Sequence, residues 1–151
     1  MNIENRLDEL GIILPEAAAP VASYRPLVLH GGTATISGQL PFVDGELVTG
    51  KLGEDVPLER GIAAARACGL MILAQLRAAG LLERVEQVIK LGGFVASVPS
   101  FTDQPKVVNG ASDLMFEVLG EAGRHARSAV GVPVLPLNAA VEVDAFVAIR
   151  D

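Results

Sequence analysis

The chain has 151 residues and a mass of 15.7 kDa, enough for one domain with a real core and too few for two. Half of it is hydrophobic and the mean hydropathy is +0.43, yet no run approaches the roughly 20 apolar residues of a membrane span, so a soluble protein is expected. The net charge of -6, with one Tyr, five Phe and no Trp, argues against a nucleic-acid partner, and a single Cys excludes a disulfide framework or a zinc site.

Ile3, Leu7 and Leu10 recur at helical spacing and Gly11 follows as a stop, which predicts a short amphipathic helix at the start. Its mixed charge lacks the apolar core of a signal peptide, so a cytoplasmic location is the expectation. The next stretch, L-P-E-A-A-A-P-V-A-S-Y-R-P, is punctuated by prolines and should run extended over the surface, with Tyr24 near its end. Residues 27–30 and 33–37 are short β-prone runs separated by Gly31 and Gly32, a hairpin signal. S-G-Q-L-P then ends the second strand, and F-V-D-G-E-L-V adds a turn at Asp44 and Gly45, so the sheet is expected to begin as a meander.

Pro57 opens a long helix that runs to about residue 79 and closes at Gly80. Leu58, Ile62, Ala65, Gly69, Ile72 and Leu76 form its apolar stripe, widened by Gly61, Ala64, Cys68 and Met71, while Arg66, Gln75 and Arg77 mark the wet side. Cys68, among small apolar neighbours, reads as a buried hydrophobe. Residues 85–97 form the longest strand candidate, interrupted by Gly92 and Gly93, which suggest a bulge or a close approach of backbone or ligand. A second helix over residues 104–120 carries a core stripe from Val107 to Leu119. Two final strands, residues 127–135 and 141–149, are joined by P-L-N-A.

The order β-β-β-α-β-α-β-β predicts an α+β fold with two helices on one face of a mixed sheet. The stretch from Gly123 to Val132 and the following V-E-V-D have the outline of a pocket. A guanidinium leads into one apolar strand and an acid sits inside the next, and unpaired charges are rarely buried without need. By alternation, Arg127, Ala129 and Gly131 share one face of their strand, where the small residues leave room. Whether Arg127 and Glu142 form an interface ion pair or serve a ligand is left open by the residues alone. His125 reads as an exposed loop histidine, Arg124 as a surface residue, and Asp103 and Asp113 as helix-end or solvated acids.

Tyr24, S-G-Q at residues 37–39, Asn109, and A-R-S-A-V with an acid fifteen positions after its arginine together resemble the RidA family, also called YjgF or the L-PSP endoribonuclease family. The resemblance covers residues 21–151, leaving residues 1–20 as an added helix and extended segment. It implies a chorismate-mutase-like α+β fold of the bacillar type, a homotrimer with clefts between neighbouring subunits, and no metal or organic cofactor. It further implies hydrolytic deamination of reactive 2-imino and enamine acids to 2-keto acids and ammonia. In that reading Arg127 holds the substrate carboxylate and Glu142 activates water. Backbone near Ala129 fixes the imine nitrogen, Tyr24 closes the cleft, and Ser37, Gly38, Gln39 and Asn109 shape or support its wall. Archetypal members usually carry a cysteine where Ala129 stands, a bulky or acidic residue where Gly131 stands, an aromatic at Ser112 and a proline at His125, so Gly131 is expected to enlarge the pocket. Two other functions are compatible with the same residues: a non-catalytic small-carboxylate-binding or regulatory trimer, and a ribonuclease, which the acidic composition disfavours.

Overall fold

A computed structural model describes residues 2–19 and 23–151. Part of the proline-punctuated segment, residues 20–22, lies outside the described residues. The elements are α1 (Ile3–Leu10), β1 (Leu27–His30), β2 (Thr33–Gln39), β3 (Phe42–Val43), β4 (Glu46–Leu47), α2 (Leu58–Ala78), β5 (Val85–Ala96), α3 (Gln104–Leu119), β6 (Ala126–Val132) and β7 (Val141–Ile149). Five strands make one sheet in the order β1-β2-β7-β5-β6, and β3 and β4 form a separate ribbon rather than continuing a meander. The sheet is mixed: β5 runs parallel to β6 and antiparallel to β7. The chain returns from β5 to β6 through α3, as a parallel connection requires.

Helices α2 and α3 cover one face, as the alternation in β7 dictates. Val141, Val143, Ala145, Val147 and Ile149 are buried beneath them, while Glu142, Asp144, Phe146 and Ala148 point to the other face. Helix α2 is long and apolar enough to cross a membrane by length and composition, but 67% of its most apolar stretch is buried, which makes it the core helix of the layer. Pro57 caps that helix rather than opening its first turn. Gln75, expected on the wet side, is buried; its amide donates to the carbonyl of Ala18 at 2.9 Å and to Gln39 Oε1 at 3.3 Å, which satisfies it in place of water. Cys68 is fully buried and bonded to the Val141 carbonyl, and burial pushes its thiol far above the usual range.

Helix α1 belongs to the same core. Ile3 and Leu7 are buried in it, Asn2 caps its first turn, and Gly11 ends it at φ 68°, the left-handed conformation that glycine adopts without penalty. Arg77 fixes the helix from α2 with a two-pronged bond to Glu4, both contacts at 2.8 Å.

Gly92 and Gly93 are not a bulge, since β5 is paired continuously there and its register shifts fall earlier, between residues 85 and 90. Each glycine instead admits a side chain from one face. A Cβ on Gly93 would lie 2.6 Å from Val108 Cγ2 of α3, and one on Gly92 would lie 2.3 Å from Asp144 Oδ1 on the opposite face. Strand β6 ends at Val132, earlier than expected, and Val134 stands outside it and exposed.

Candidate active site

Strand β6 is an edge strand, and Arg127 projects from it onto the helix-covered face. Its Nη1 donates to Asn109 Oδ1 at 2.9 Å and to Ser112 Oγ at 3.0 Å, and its Nη2 donates to the Pro105 carbonyl at 3.2 Å. Asn109 and Ser112 are neighbours on one face of α3, three residues apart, so the helix offers both acceptors together. Of the five guanidinium N–H donors, Nε–H and one Nη2–H have no acceptor among the described residues. Those two nitrogens form the side-on fork that matches a carboxylate. A cavity of about 320 Å³ opens here, lined by Arg127, Asn109, Ser112, Phe116, Arg124 and His125 among others.

Arg124 lies over the Phe116 ring, 4.3 Å from its centroid, and pairs with Glu121 at 3.0 Å. His125 is half-buried rather than an exposed loop residue, because its ring Nδ1 bonds the Ala126 carbonyl at 2.9 Å. Burial depresses its pKa below the ordinary histidine value against the opposing effect of that bond, and the nearby Arg127 adds to the depression. Farther along the strand Ala129 packs against the core, and Gly131 does not enlarge the pocket. The space a Cβ would take there is occupied by Gln104 Nε2 and Ser97 Oγ, 2.7 and 2.8 Å from that position.

Glu142 stands on the other face of the sheet. Its neighbour is Gly38 of β2, where a Cβ would fall 2.6 Å from the Glu142 carboxylate carbon. The S-G-Q motif explains this approach. The register between β2 and β7 shifts between Ile36 and Gln39, Ser37 Oγ donates to the Arg25 carbonyl at 2.8 Å, and Gln39 Nε2 donates to the Ser37 carbonyl at 2.9 Å. The irregular turn of strand is thereby tied both to the segment carrying Tyr24 and, through Gln39 and Gln75, to α2. A smaller cavity of about 190 Å³ is lined by Tyr24, Gly38, Gln39, Phe42, Gln75 and Leu137. Tyr24 is half-exposed at its rim. Burial raises the Glu142 pKa above the usual carboxylate value and the charge of Asp144 raises it further.

The sequence-derived set therefore falls into two groups within one chain. Arg127 and Asn109 meet at the edge strand under α3, with Ala129 and Gly131 beyond; Tyr24, Ser37, Gly38, Gln39 and Glu142 gather at β2 and β7. Arg127 and Glu142 are on opposite faces of the sheet, so they are no ion pair within a subunit. Ser112, an acceptor for Arg127, is absent from the sequence-derived set; its spacing of three from Asn109 on a helix is the signal that places it beside that residue. Among the described residues no cluster of His, Cys, Asp and Glu could hold a metal ion.

A mixed sheet with two helices on one face, an arginine fork at its edge and a carboxylate on its bare face define the class: an α+β protein of the chorismate-mutase-like type. The family model described as "YjgF/chorismate_mutase-like, putative endoribonuclease" matches residues 4–149, and the chain belongs to this YjgF/RidA family. It is 53% identical to Protein TCP17 of Trypanosoma cruzi, over 96% of this chain and 92% of that protein. The crystal structure of Atu1372 from Agrobacterium tumefaciens, a protein of unknown function, is similar at 52% identity with a TM-score of 0.90, over 98% of this chain and 92% of that one. A more distant relative, the 2-iminobutanoate/2-iminopropanoate deaminase of Dermatophagoides farinae, is 30% identical over 92% of this chain and 95% of its own length.

Proposed function

We propose that the protein hydrolyses a 2-imino acid, or the enamine that tautomerises to it, to a 2-keto acid and ammonia. The observation that carries this reading is the state of Arg127: three of its donors are fixed on α3, and the fork of Nε and Nη2 is left to meet a carboxylate. Anchored there, the substrate presents an imine carbon that is already electrophilic, so positioning and one acid/base group suffice. Glu142, with a raised pKa, takes a proton from water as its oxygen bonds to that carbon, and the imine nitrogen is protonated to give a carbinolamine. Loss of ammonia with re-formation of the C=O bond yields the keto acid. Backbone near Ala129 orients the nitrogen and Tyr24 closes the cleft.

Because Arg127 and Glu142 occupy opposite faces of one sheet, the reaction requires a second copy of the chain, Arg127 of one subunit meeting Glu142 of the next. The bare sheet face supports such an assembly: Val28, Val130 and Phe146 are exposed there at 46%, 44% and 42%. A trimer with three clefts fits the family. Ribonuclease activity gains no support from a net charge of -6.

The test is keto-acid formation from enzymatically generated 2-aminoacrylate. Wild type accelerates it and Arg127→Ala abolishes the acceleration. Wild type no faster than buffer, with a small keto acid still bound at Arg127, would replace this reading by that of a carboxylate-binding module.

A further inference from the structure

The bare face of the sheet carries a second acid that the proposed reaction does not use. Asp144 follows Glu142 by two residues on β7, so both side chains leave the same face of the same strand. They nevertheless lean in opposite directions. Glu142 lies against Gly38 on β2, one neighbour of β7, and Asp144 lies across Gly92 on β5, the other neighbour and its direct partner in the register. At either position a Cβ would push the carboxylate from its place: one on Gly38 would fall 2.6 Å from Glu142 Oε2, and one on Gly92 would fall 2.3 Å from Asp144 Oδ1. Two glycines on two flanking strands thus make two seats, and each seat holds one carboxylate away from the other.

We infer that Asp144 is a positioning residue for Glu142, holding the water-activating carboxylate in its seat over Gly38 by like-charge repulsion from the seat over Gly92. This rests on the role proposed for Glu142. Strand β2 brings no titratable side chain to the pair, since residues 33–39 read T-A-T-I-S-G-Q. Burial raises the Asp144 pKa above the usual carboxylate value, opposed by a backbone hydrogen bond at Gly92 and by the Lys90 ammonium on β5. From the helix layer the Cys68 thiol feels the charge of Glu142. Within the subunit Asp144 is therefore the charged neighbour that makes Glu142 a stronger base than burial alone would, and Arg127 of the next subunit acts on it in the opposite sense.

The experiment compares wild type, Asp144→Asn, Asp144→Glu and Glu142→Gln. Two readouts are taken: the pH profile of kcat/KM for 2-aminoacrylate hydrolysis, and carbon-13 NMR titration of the Glu142 carboxyl, which needs no turnover. Removing the neighbouring charge lowers the Glu142 titration, so in Asp144→Asn both the acid limb and the NMR midpoint move down. Asp144→Glu, which keeps the charge, returns them to the wild-type position. On the unmodified protein, salt raised to about 1 M, where screening reaches only about 3 Å, moves both in the same direction as Asp144→Asn. An unmoved midpoint in Asp144→Asn and in high salt overturns the inference, whatever the activity. If instead the midpoint moves but Glu142→Gln keeps full activity, the role of Glu142 fails, and the positioning role with it.

Discussion

Glu142 and Gly38 are in such close contact that the position a Gly38 Cβ would take lies 2.6 Å from both Cδ and Oε2 of the glutamate. The second residue of S-G-Q is therefore a seat for the acid rather than a turn residue. Gly38→Ala displaces the carboxylate by an ångström or so without touching the core, since Gly38 is exposed. Its kcat should fall by about 100-fold while the melting temperature changes little. Steady-state kinetics beside a thermal melt reads both.

Arg127 depends on α3 for its orientation. Asn109→Ala combined with Ser112→Ala removes both acceptors of Nη1 and frees the guanidinium to turn. The KM of the imine substrate should rise by about tenfold with a smaller effect on kcat, as loss of carboxylate binding predicts. Arg127→Lys should not rescue Arg127→Ala, because an ammonium has no fork.

The packing beneath this site is tight at Gly93. A methyl there would meet both methyl groups of Val108, at 2.6 and 2.7 Å, and Val108 precedes Asn109 on the helix. Gly93→Ala should cost about 1–3 kcal/mol in urea unfolding and weaken substrate binding as α3 shifts. Val108→Ala added to it should restore part of both, and a double-mutant cycle measures the coupling.

Activity should fall on the acid side at a pH above the ordinary glutamate value of about 4.3. The sign follows from the causes. Burial, then Asp144, favours the protonated form of Glu142, and only the carboxylate accepts a proton from water, so activity is lost as pH drops through the raised value. The pH profile of kcat/KM locates the limb, and Glu142→Gln should lack both limb and activity.

The layer of two helices on a mixed sheet was legible because α2, α3 and β7 carry clean periods of 3.6 and 2, which bury one stripe or one face each. The partners of small and polar residues were not. Gln75 lies on a helix otherwise read as wet at that position, and only the return of Ala18 and Gln39 to it in space explains its burial. Gly92 and Gly93 announce a close approach without saying of what; the answer, Asp144 on one face and Val108 on the other, depends on strand order. Alternation likewise placed Arg127 with Ala129 and Gly131 but could not fix which face of β6 meets the helices. That face, set by the parallel pairing with β5, is what separates Arg127 from Glu142.

The central claim is that one cleft takes Arg127 from one subunit and Glu142 from the next, and subunit mixing tests it directly. Arg127→Ala and Glu142→Gln should each be inactive alone. Unfolded together and reassembled in equal amounts, they should regain about a quarter of wild-type activity, the fraction of clefts in which both residues are intact in a random cyclic assembly. Mixed assemblies that form but remain as inactive as either parent would contradict it.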